Sequence, residues 1–244
     1  MADMKNLSND KFLKIIKNLC KKNNKKDIKI LDWGCGRGDL VKFLNDQGYD
    51  CYGLEIETNS KIINQLNLDS NKDIYNKLSF IKDDNITKFN SNYFDIVITN
   101  QVIEHMSNKI SFIEELKRIL KTGGFSYNIL PAKYRLIEVH LRMPFVHWFP
   151  KNIFRRYLIV FFNFFKFNHW AECKSLTFIQ QVQYYYEYSI KKTFYSNAST
   201  LFNDFRKKGF NINDCYLKNK ILNNTLTQFI KNNFISIEFL ATKK

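Results

Sequence analysis

The chain is poor in the residues that punctuate or cross-link a fold, with 8 glycines, 3 prolines and 5 cysteines in 244 residues. Cys20, Cys35, Cys51, Cys173 and Cys215 are scattered and odd in number, and no Cys-x-x-Cys or His/Cys cluster occurs. This argues against a disulfide framework and against a structural zinc site, and it points to a reducing compartment. No apolar run reaches the roughly 18 residues a spanning helix needs. The N-terminal stretch, with Asp3 and then Asn6 to Asp10, lacks the unbroken apolar segment of a secretory leader. The expected location is the cytoplasm, with contact at the inner face of a membrane left open. Internal repeats and low-complexity tracts are also missing.

Acid is scarce relative to base: 23 Asp and Glu against 38 Lys and Arg give a formal net charge of +15. Such a balance attracts phosphate polymers. Here, however, the bases are spread along the chain, with short runs only at Lys21-Lys22 and Lys25-Lys26, as on a solvated surface. No nucleic-acid partner is expected, whereas a small anionic acceptor or an acidic membrane surface suits the charge. A hydrophobic content of 45% allows one substantial core.

The few glycines are concentrated. Three of the 8 lie in Leu31-Asp32-Trp33-Gly34-Cys35-Gly36-Arg37-Gly38-Asp39, directly after the apolar run Ile28 to Leu31. A strand that breaks into glycines and then opens a helix lets bare backbone N–H groups approach a ligand. A dinucleotide's diphosphate calls for Gly-x-Gly-x-x-Gly, with its acid at the end of the next strand. In this chain the spacing is Gly-x-Gly-x-Gly and Asp32 stands just ahead of it, a carboxylate that repels diphosphate and favours a cationic ligand such as S-adenosylmethionine. The run Tyr49 to Glu57 reads as a second strand delivering Glu55 to ribose hydroxyls, Phe80 to Asp84 as a third, and Phe94 to Asn100 as a fourth. Leu120 to Gly124 closes a helix and starts a fifth strand that runs to Leu130.

With these residues in this order, the chain resembles the class I S-adenosylmethionine-dependent methyltransferases over about residues 28–130 and again at the C-terminus. The resemblance implies an α/β fold with a Rossmann-like, seven-stranded, mostly parallel sheet, helices on both faces and a lid inserted after the fifth strand. It divides the chain into a cofactor-binding core over 1–130, a substrate lid over 131–196, and residues 197–244 completing the sheet. It places Asp32, Trp33, Gly34, Gly36 and Gly38 around the methionine end of the cofactor, and Glu55 with Ile56 at the ribose. Asp83 or Asp84 falls at the adenine amine, and Asn100 at the end of the fourth strand.

The chemistry is expected in Asn100-Gln101-Val102-Ile103-Glu104-His105-Met106, between the fourth strand and a helix starting near Ser107. Methyl transfer displaces an activated sulfonium in line, so a base is needed only when the acceptor carries a proton. His105 is the candidate base, kept neutral by the positive end of a nearby helix. The Glu-His pair resembles quinone-pathway O-methyltransferases, some of which hold a divalent metal here with two acids and a histidine. Gln101 replaces the first acid, so no metal is expected. Beyond Pro131, Tyr134, Arg135, Glu138 and His140 join Gln101 and Glu104 as candidate acceptor contacts, with Arg135 suited to clamp a phosphate or carboxylate. This stretch is similar to methyltransferases of bacterial surface-polysaccharide biosynthesis. The acceptor so implied is a saccharide or its phosphorylated or phosphoramidate precursor, with a quinone or other lipid as the alternative.

Two helices frame this reading. An N-terminal helix from Asn9 to about Cys20 carries Phe12, Ile15, Ile16 and Leu19 on one face. The aromatic segment Phe154 to Phe167 places Phe154, Leu158, Phe161, Phe162 and Phe165 on one side of a helix and Tyr157, Val160 and Phe164 on the other. It is expected to form lid core, or else to meet lipid with Lys151, Arg155 and Arg156 facing the headgroups. After the lid the sheet is expected to resume with a helix over about Thr200–Lys208 and strands at Phe210–Tyr216 and Phe234–Ala241.

Overall fold

The computed structural model describes residues 2–19, 24–57, 72–82, 86–167, 170–214 and 225–244. Its centre is a seven-stranded sheet whose strand order is β3-β2-β1-β4-β5-β7-β6. Strands β1 (Lys29–Trp33), β2 (Asp50–Ile56), β3 (Leu78–Ile81), β4 (Phe94–Asn100) and β5 (Leu120–Pro131) are parallel, and β7 (Ser236–Lys243) runs antiparallel to both β5 and β6 (Phe210–Asn213). The order reverses between β1 and β4. Such a reversal opens a crevice at the strands' C-terminal ends, where ligands of open α/β sheets bind.

Alternation along the strands supplies two cores. Leu31 and Val97 point to one face, against α3 (Lys109–Ile119) and α6 (Ala198–Lys207) through Phe112, Leu116, Leu201 and Phe205. Ile30, Ile96 and Ile98 point to the other, against α1 (Ala2–Leu19) and α2 (Asp39–Asp46) through Phe12, Ile15, Ile16, Val41 and Leu44. Period-two side chains in the strands and period-3.6 faces on the helices thus make a three-layer fold. Between β5 and α6 an insertion carries α4 (Ile153–Phe164) and α5 (Phe178–Lys191) around a small core of Leu141, Met143, Val146, Ile159, Val182 and Tyr185. The last helix, α7 (Thr225–Ile230), runs into a π-helical turn, Lys231–Ile235.

Several boundaries differ from the sequence expectation. α1 begins at Ala2 rather than Asn9, and α3 begins at Lys109, where the Asn108 side chain accepts from the Ser111 N–H, rather than near Ser107. β3 already ends at Ile81, and Asp83 and Asp84 lie outside the described residues. β5 starts at Leu120 rather than Gly124, because Gly123, at φ +76°, and Gly124 absorb a register shift inside the strand instead of making a turn before it. The π-helical turn takes up Phe234 and Ile235, so β7 starts at Ser236. β6 ends at Asn213, and Tyr216 is not among the described residues.

The aromatic segment is corrected more deeply. Arg155, Ile159 and Asn163 form the buried side of α4, while Phe154, Tyr157, Phe161, Phe164 and Phe165 are exposed. Those rings are therefore not lid core. Arg155 does not face outward as expected, because its guanidinium donates inward to the carbonyls of Phe149 and Ser189. Lys151 stays exposed, but its amine donates to the Ile190 carbonyl at 2.7 Å and lies 3.8 Å from the Phe194 ring centre.

Candidate active site

The C-terminal ends of β1 and β2 build one half of the site. Asp32 and Gly53 are register partners there, and a Cβ on Gly53 would stand 2.6 Å from Leu78 and 2.8 Å from the Cys35 sulfur, so glycine lets the loop after β1 lie against β2. Gly34, Gly36 and Gly38 all have positive φ, 82°, 54° and 77°. A Cβ on Gly34 would meet Val102 at 2.3 Å, which ties this loop directly to the one after β4. At Gly36 nothing lies within 4 Å of the Cβ position, so bare backbone faces open space. The Glu55 carboxylate accepts the Gly36 N–H at 2.7 Å and the Ile56 N–H at 3.0 Å. Asp32 is buried, and no described residue hydrogen-bonds its side chain. Burial, reinforced by the nearby Glu55 charge, pushes its carboxyl up to about 7.

An acid in that state is satisfied by a ligand that brings positive charge to Asp32 and hydroxyls to Glu55. The residues present therefore fit S-adenosylmethionine: a cationic methionine end at Asp32 and Gly36, a ribose at Glu55. Trp33 takes no part through its side chain, which is packed in the core edge-on to Phe112 at 4.8 Å. Ile56 is half-buried against the same core, and Asn100 is exposed at the end of β4.

The second half is assembled by the loop after β4 and by the insertion. Gln101 adopts φ +59°, an uncommon left-handed conformation for a residue other than glycine, and a short 3-10 turn, Ile103–His105, follows. Phe194 donates its N–H to the Glu104 carbonyl at 2.6 Å, Lys109 donates to the Phe194 carbonyl, and the Lys192 carbonyl lies 2.6 Å from His105 Nδ1. Because a carbonyl only accepts, neutral His105 carries its proton on Nδ1 and leaves the Nε2 lone pair bare. His105 lies below the ordinary histidine range chiefly through burial, so a helix end is not the main cause of its neutrality.

His140 approaches from the insertion, its ring centre 4.8 Å from that of His105. Its Nδ1 donates to Glu138 at 2.8 Å, which in the neutral ring leaves Nε2 as the unprotonated nitrogen. Burial alone would raise the Glu138 carboxyl, but the bonds from His140, the Tyr195 hydroxyl and the Leu141 N–H hold it below the usual carboxylate range. Glu138 is thus buried and anchors His140. Glu104 is fully buried with neither oxygen hydrogen-bonded among the described residues, and burial pushes its carboxyl up to about 7. One donor atom each from Glu104, His105 and His140 lies within 4.8 Å of the others, which makes these the residues that could hold a cation. That spread exceeds the roughly 3.4 Å edge of a tetrahedron with 2.1 Å bonds, so ligation would need the three groups to draw closer.

The cluster therefore unites Glu104, His105, Glu138 and His140 of the expected residues. Tyr134 packs edge-on to Trp148 and near Phe234, and Arg135 has an exposed side chain while its backbone carbonyl accepts from the Trp148 indole. Sequence reasoning missed Tyr195 and the Lys192 carbonyl. Their only local signal is a polar run where the insertion returns to the sheet.

A family model described as a methyltransferase domain matches residues 6–212. Among curated proteins, the mitochondrial ubiquinone biosynthesis O-methyltransferase of Dictyostelium discoideum is 33% identical over 106 residues, 40% of this chain and 33% of that protein. The first such matches span 33% to 54% of the relatives' own length. Among solved structures, an S-adenosylmethionine-dependent methyltransferase from Mesorhizobium loti matches with a TM-score of 0.51 at 11% identity, over 93% of this chain and 95% of that one. Phosphoethanolamine N-methyltransferase 2 of Haemonchus contortus, solved with S-adenosyl-L-methionine, matches with 0.55 at 13% identity, over 96% of this chain and 52% of that one. Identities this low show a shared fold alone.

Proposed function

The chain belongs to the methyltransferase-domain family, and from that premise we propose that it carries a methyl group from S-adenosylmethionine to an oxygen of a small hydroxyl-bearing acceptor. The observation that carries this reading is the buried Asp32, without a hydrogen-bond partner among the described residues, at the switch point; Gly34, two residues on, leaves no room for a Cβ beside Val102 of the loop bearing His105, and the Cβ position of Gly36 faces open space. When bound, S-adenosylmethionine supplies a methyl group already activated on a sulfonium, so positioning is the protein's main task. Asp32 pairs with the positive charge, Glu55 exchanges its Gly36 bond for ribose hydroxyls, and His105 accepts the acceptor's proton at Nε2. His140, held by Glu138 and Tyr195, orients a second hydroxyl through its own bare Nε2.

The acceptor inferred here is a saccharide, or its phosphorylated or phosphoramidate precursor, of surface glycan assembly. Its support is the cluster's chemistry: two neighbouring imidazoles whose Nε2 lone pairs can accept hydrogen bonds match the adjacent hydroxyls of a polyol. A quinone or other lipid is the second reading, favoured by the exposed aromatic face of α4 and by the ubiquinone O-methyltransferase relative. Transfer of labelled methyl from S-adenosylmethionine to sugar phosphates and nucleotide sugars, against polyprenyl catechols, decides between them. Calorimetry tests the common premise: unchanged cofactor affinity in both Asp32→Ala and Glu55→Ala would remove its basis.

A further inference from the structure

Between Glu138 and Glu172 the sequence has no acidic residue, yet it carries Arg142, Lys151, Arg155, Arg156 and Lys166. α4 lies in this segment with the usual amphipathic order reversed. Its protein-facing side holds Arg155 and Asn163 beside Ile159, and its outward side presents Phe154, Tyr157, Phe161, Phe164 and Phe165. Phe164 is 69% exposed, Phe154 64% and Tyr157 63%. At about 100° per residue these rings share a continuous arc of roughly 100°, filled out by Ile153 and Val160 and crossed by no charged side chain. α5, which packs against α4, opens with Phe178 and Ile179, both exposed. A contiguous apolar surface of this kind marks an interaction site, unlike single exposed side chains.

We propose that α4 docks the protein on an anionic lipid surface, lying in the interface with its aromatic face among the headgroups and upper acyl chains. Two observations select lipid over a second copy of the chain, and a third sets how α4 lies on it. First, Arg156 flanks the aromatic arc, half-buried and 5.7 Å from the Tyr186 ring centre, and Lys166 stands exposed at its C-terminal end. Two copies meeting through this face would set these bases against each other with no acid of the segment to pair them, whereas anionic headgroups pair them directly. Second, the face is rich in Phe with a Tyr, side chains that suit the boundary between water and hydrocarbon. Third, α4 has 12 residues, about 18 Å, so it can lie in an interface but not cross one, and among the described residues no helix is long and apolar enough to span. The inference does not depend on methyl transfer and is read without turnover.

The test uses the full chain with phosphatidylcholine vesicles, with and without phosphatidylglycerol. A Phe164→Trp variant reports insertion through blue-shifted emission and quenching by brominated lipid. Co-sedimentation with the anionic vesicles is expected, with quenching and with a bound fraction that persists in part at high salt. Phe161→Glu should lower partitioning by about tenfold or more. Tyr157→Glu serves as the second variant, and both should keep the wild-type circular dichroism and thermal transition because the replaced rings are exposed. The proposal is overturned by absence of binding. Binding that salt abolishes, that Phe161→Glu leaves unchanged and that gives no quenching also overturns it, since the net charge alone then explains attraction. A dimer in sedimentation velocity that Phe161→Glu dissolves would assign the face to a second copy instead.

Discussion

The sheet and the insertion hold their functional groups by different physics. In the sheet, strand register places the acids: Asp32 stands beside Gly53 and Ile98, and Glu55 beside Phe80, so each carboxylate reaches the crevice because the strand ends there. The insertion has a single isolated bridge, Ile137 to Pro144, among its described residues, and it positions polar groups through side chains that bond to distant carbonyls. Trp170 donates to the His140 carbonyl at 2.8 Å, Trp148 to that of Arg135 at 2.9 Å, and Arg155 to that of Ser189 at 3.0 Å. Each half nonetheless carries one buried acid pushed up to about 7, Asp32 in the sheet and Glu104 beside the insertion. Register fixes the acids of the sheet through neighbouring strands, whereas the insertion depends on side-chain bonds between segments far apart in the sequence.

The largest effect that separates the halves is expected at His105. His105→Ala should lower turnover by roughly 10²- to 10⁴-fold, the range of a lost general base, with cofactor affinity nearly unchanged. In the wild type the rate should fall on the acid side as Nε2 takes up a proton, at a pH below the ordinary histidine value because burial disfavours the cation. That limb should vanish in His105→Ala. A flat wild-type profile with chemistry rate-limiting would show that the acceptor needs no base.

Glu55→Ala makes the reciprocal test. Cofactor binding should weaken by about 1.5 to 3 kcal/mol, the scale of hydrogen bonds to a charged group, while turnover at saturating cofactor stays close to wild type. A fall in turnover with unchanged affinity would mean the two halves are not separable in this way. Tyr195→Phe comes next: removing one of the bonds on Glu138 should loosen His140 and lower turnover by about tenfold, without change in cofactor affinity. Equal losses in affinity and rate would point to general destabilisation of the insertion instead.

The smallest effect is a pH dependence. Asp32 titrates at about 7 in the ligand-free fold, so protonation below that point must be reversed before a cation can pair with it. Affinity for S-adenosylmethionine should drop by up to about tenfold per pH unit below 7 and level off above it. Calorimetry in buffers of different ionisation enthalpy should detect the released proton, and Asp32→Asn should abolish both signals. The same raised carboxyl opposes folding once it ionises, so its penalty grows as pH rises from the unfolded value toward about 7. Ligand-free Asp32→Asn should accordingly melt higher than wild type at neutral pH.

Much of the sheet half was legible because its signals are local. A glycine triplet after an apolar run, an acid ahead of it and another closing the next strand are read from neighbours a few residues apart. The errors there were of extent: glycines at 123 and 124 read as a turn although β5 accommodates them as a register shift, and Phe234 and Ile235 read as strand although a π-helical turn takes them. On the acceptor side, Glu104, His105, Glu138 and His140 were identifiable as residue types, but not their grouping. Tyr134 shared the same local signal and packs against Trp148.

The sequence by itself determined the order of the strands and helices, the glycine loop and the acids at the ends of β1 and β2, since periodicity and turn chemistry act over a few residues. Tertiary structure alone decided which nitrogen of His105 is bare, because that depends on the carbonyl of Lys192, 87 positions away along the chain. It decided as well that Arg155 is inside and Phe164 outside. A helix apolar on nearly every side carries no internal instruction about which face to bury, and α4 was oriented by the carbonyls of Phe149 and Ser189 that Arg155 could reach.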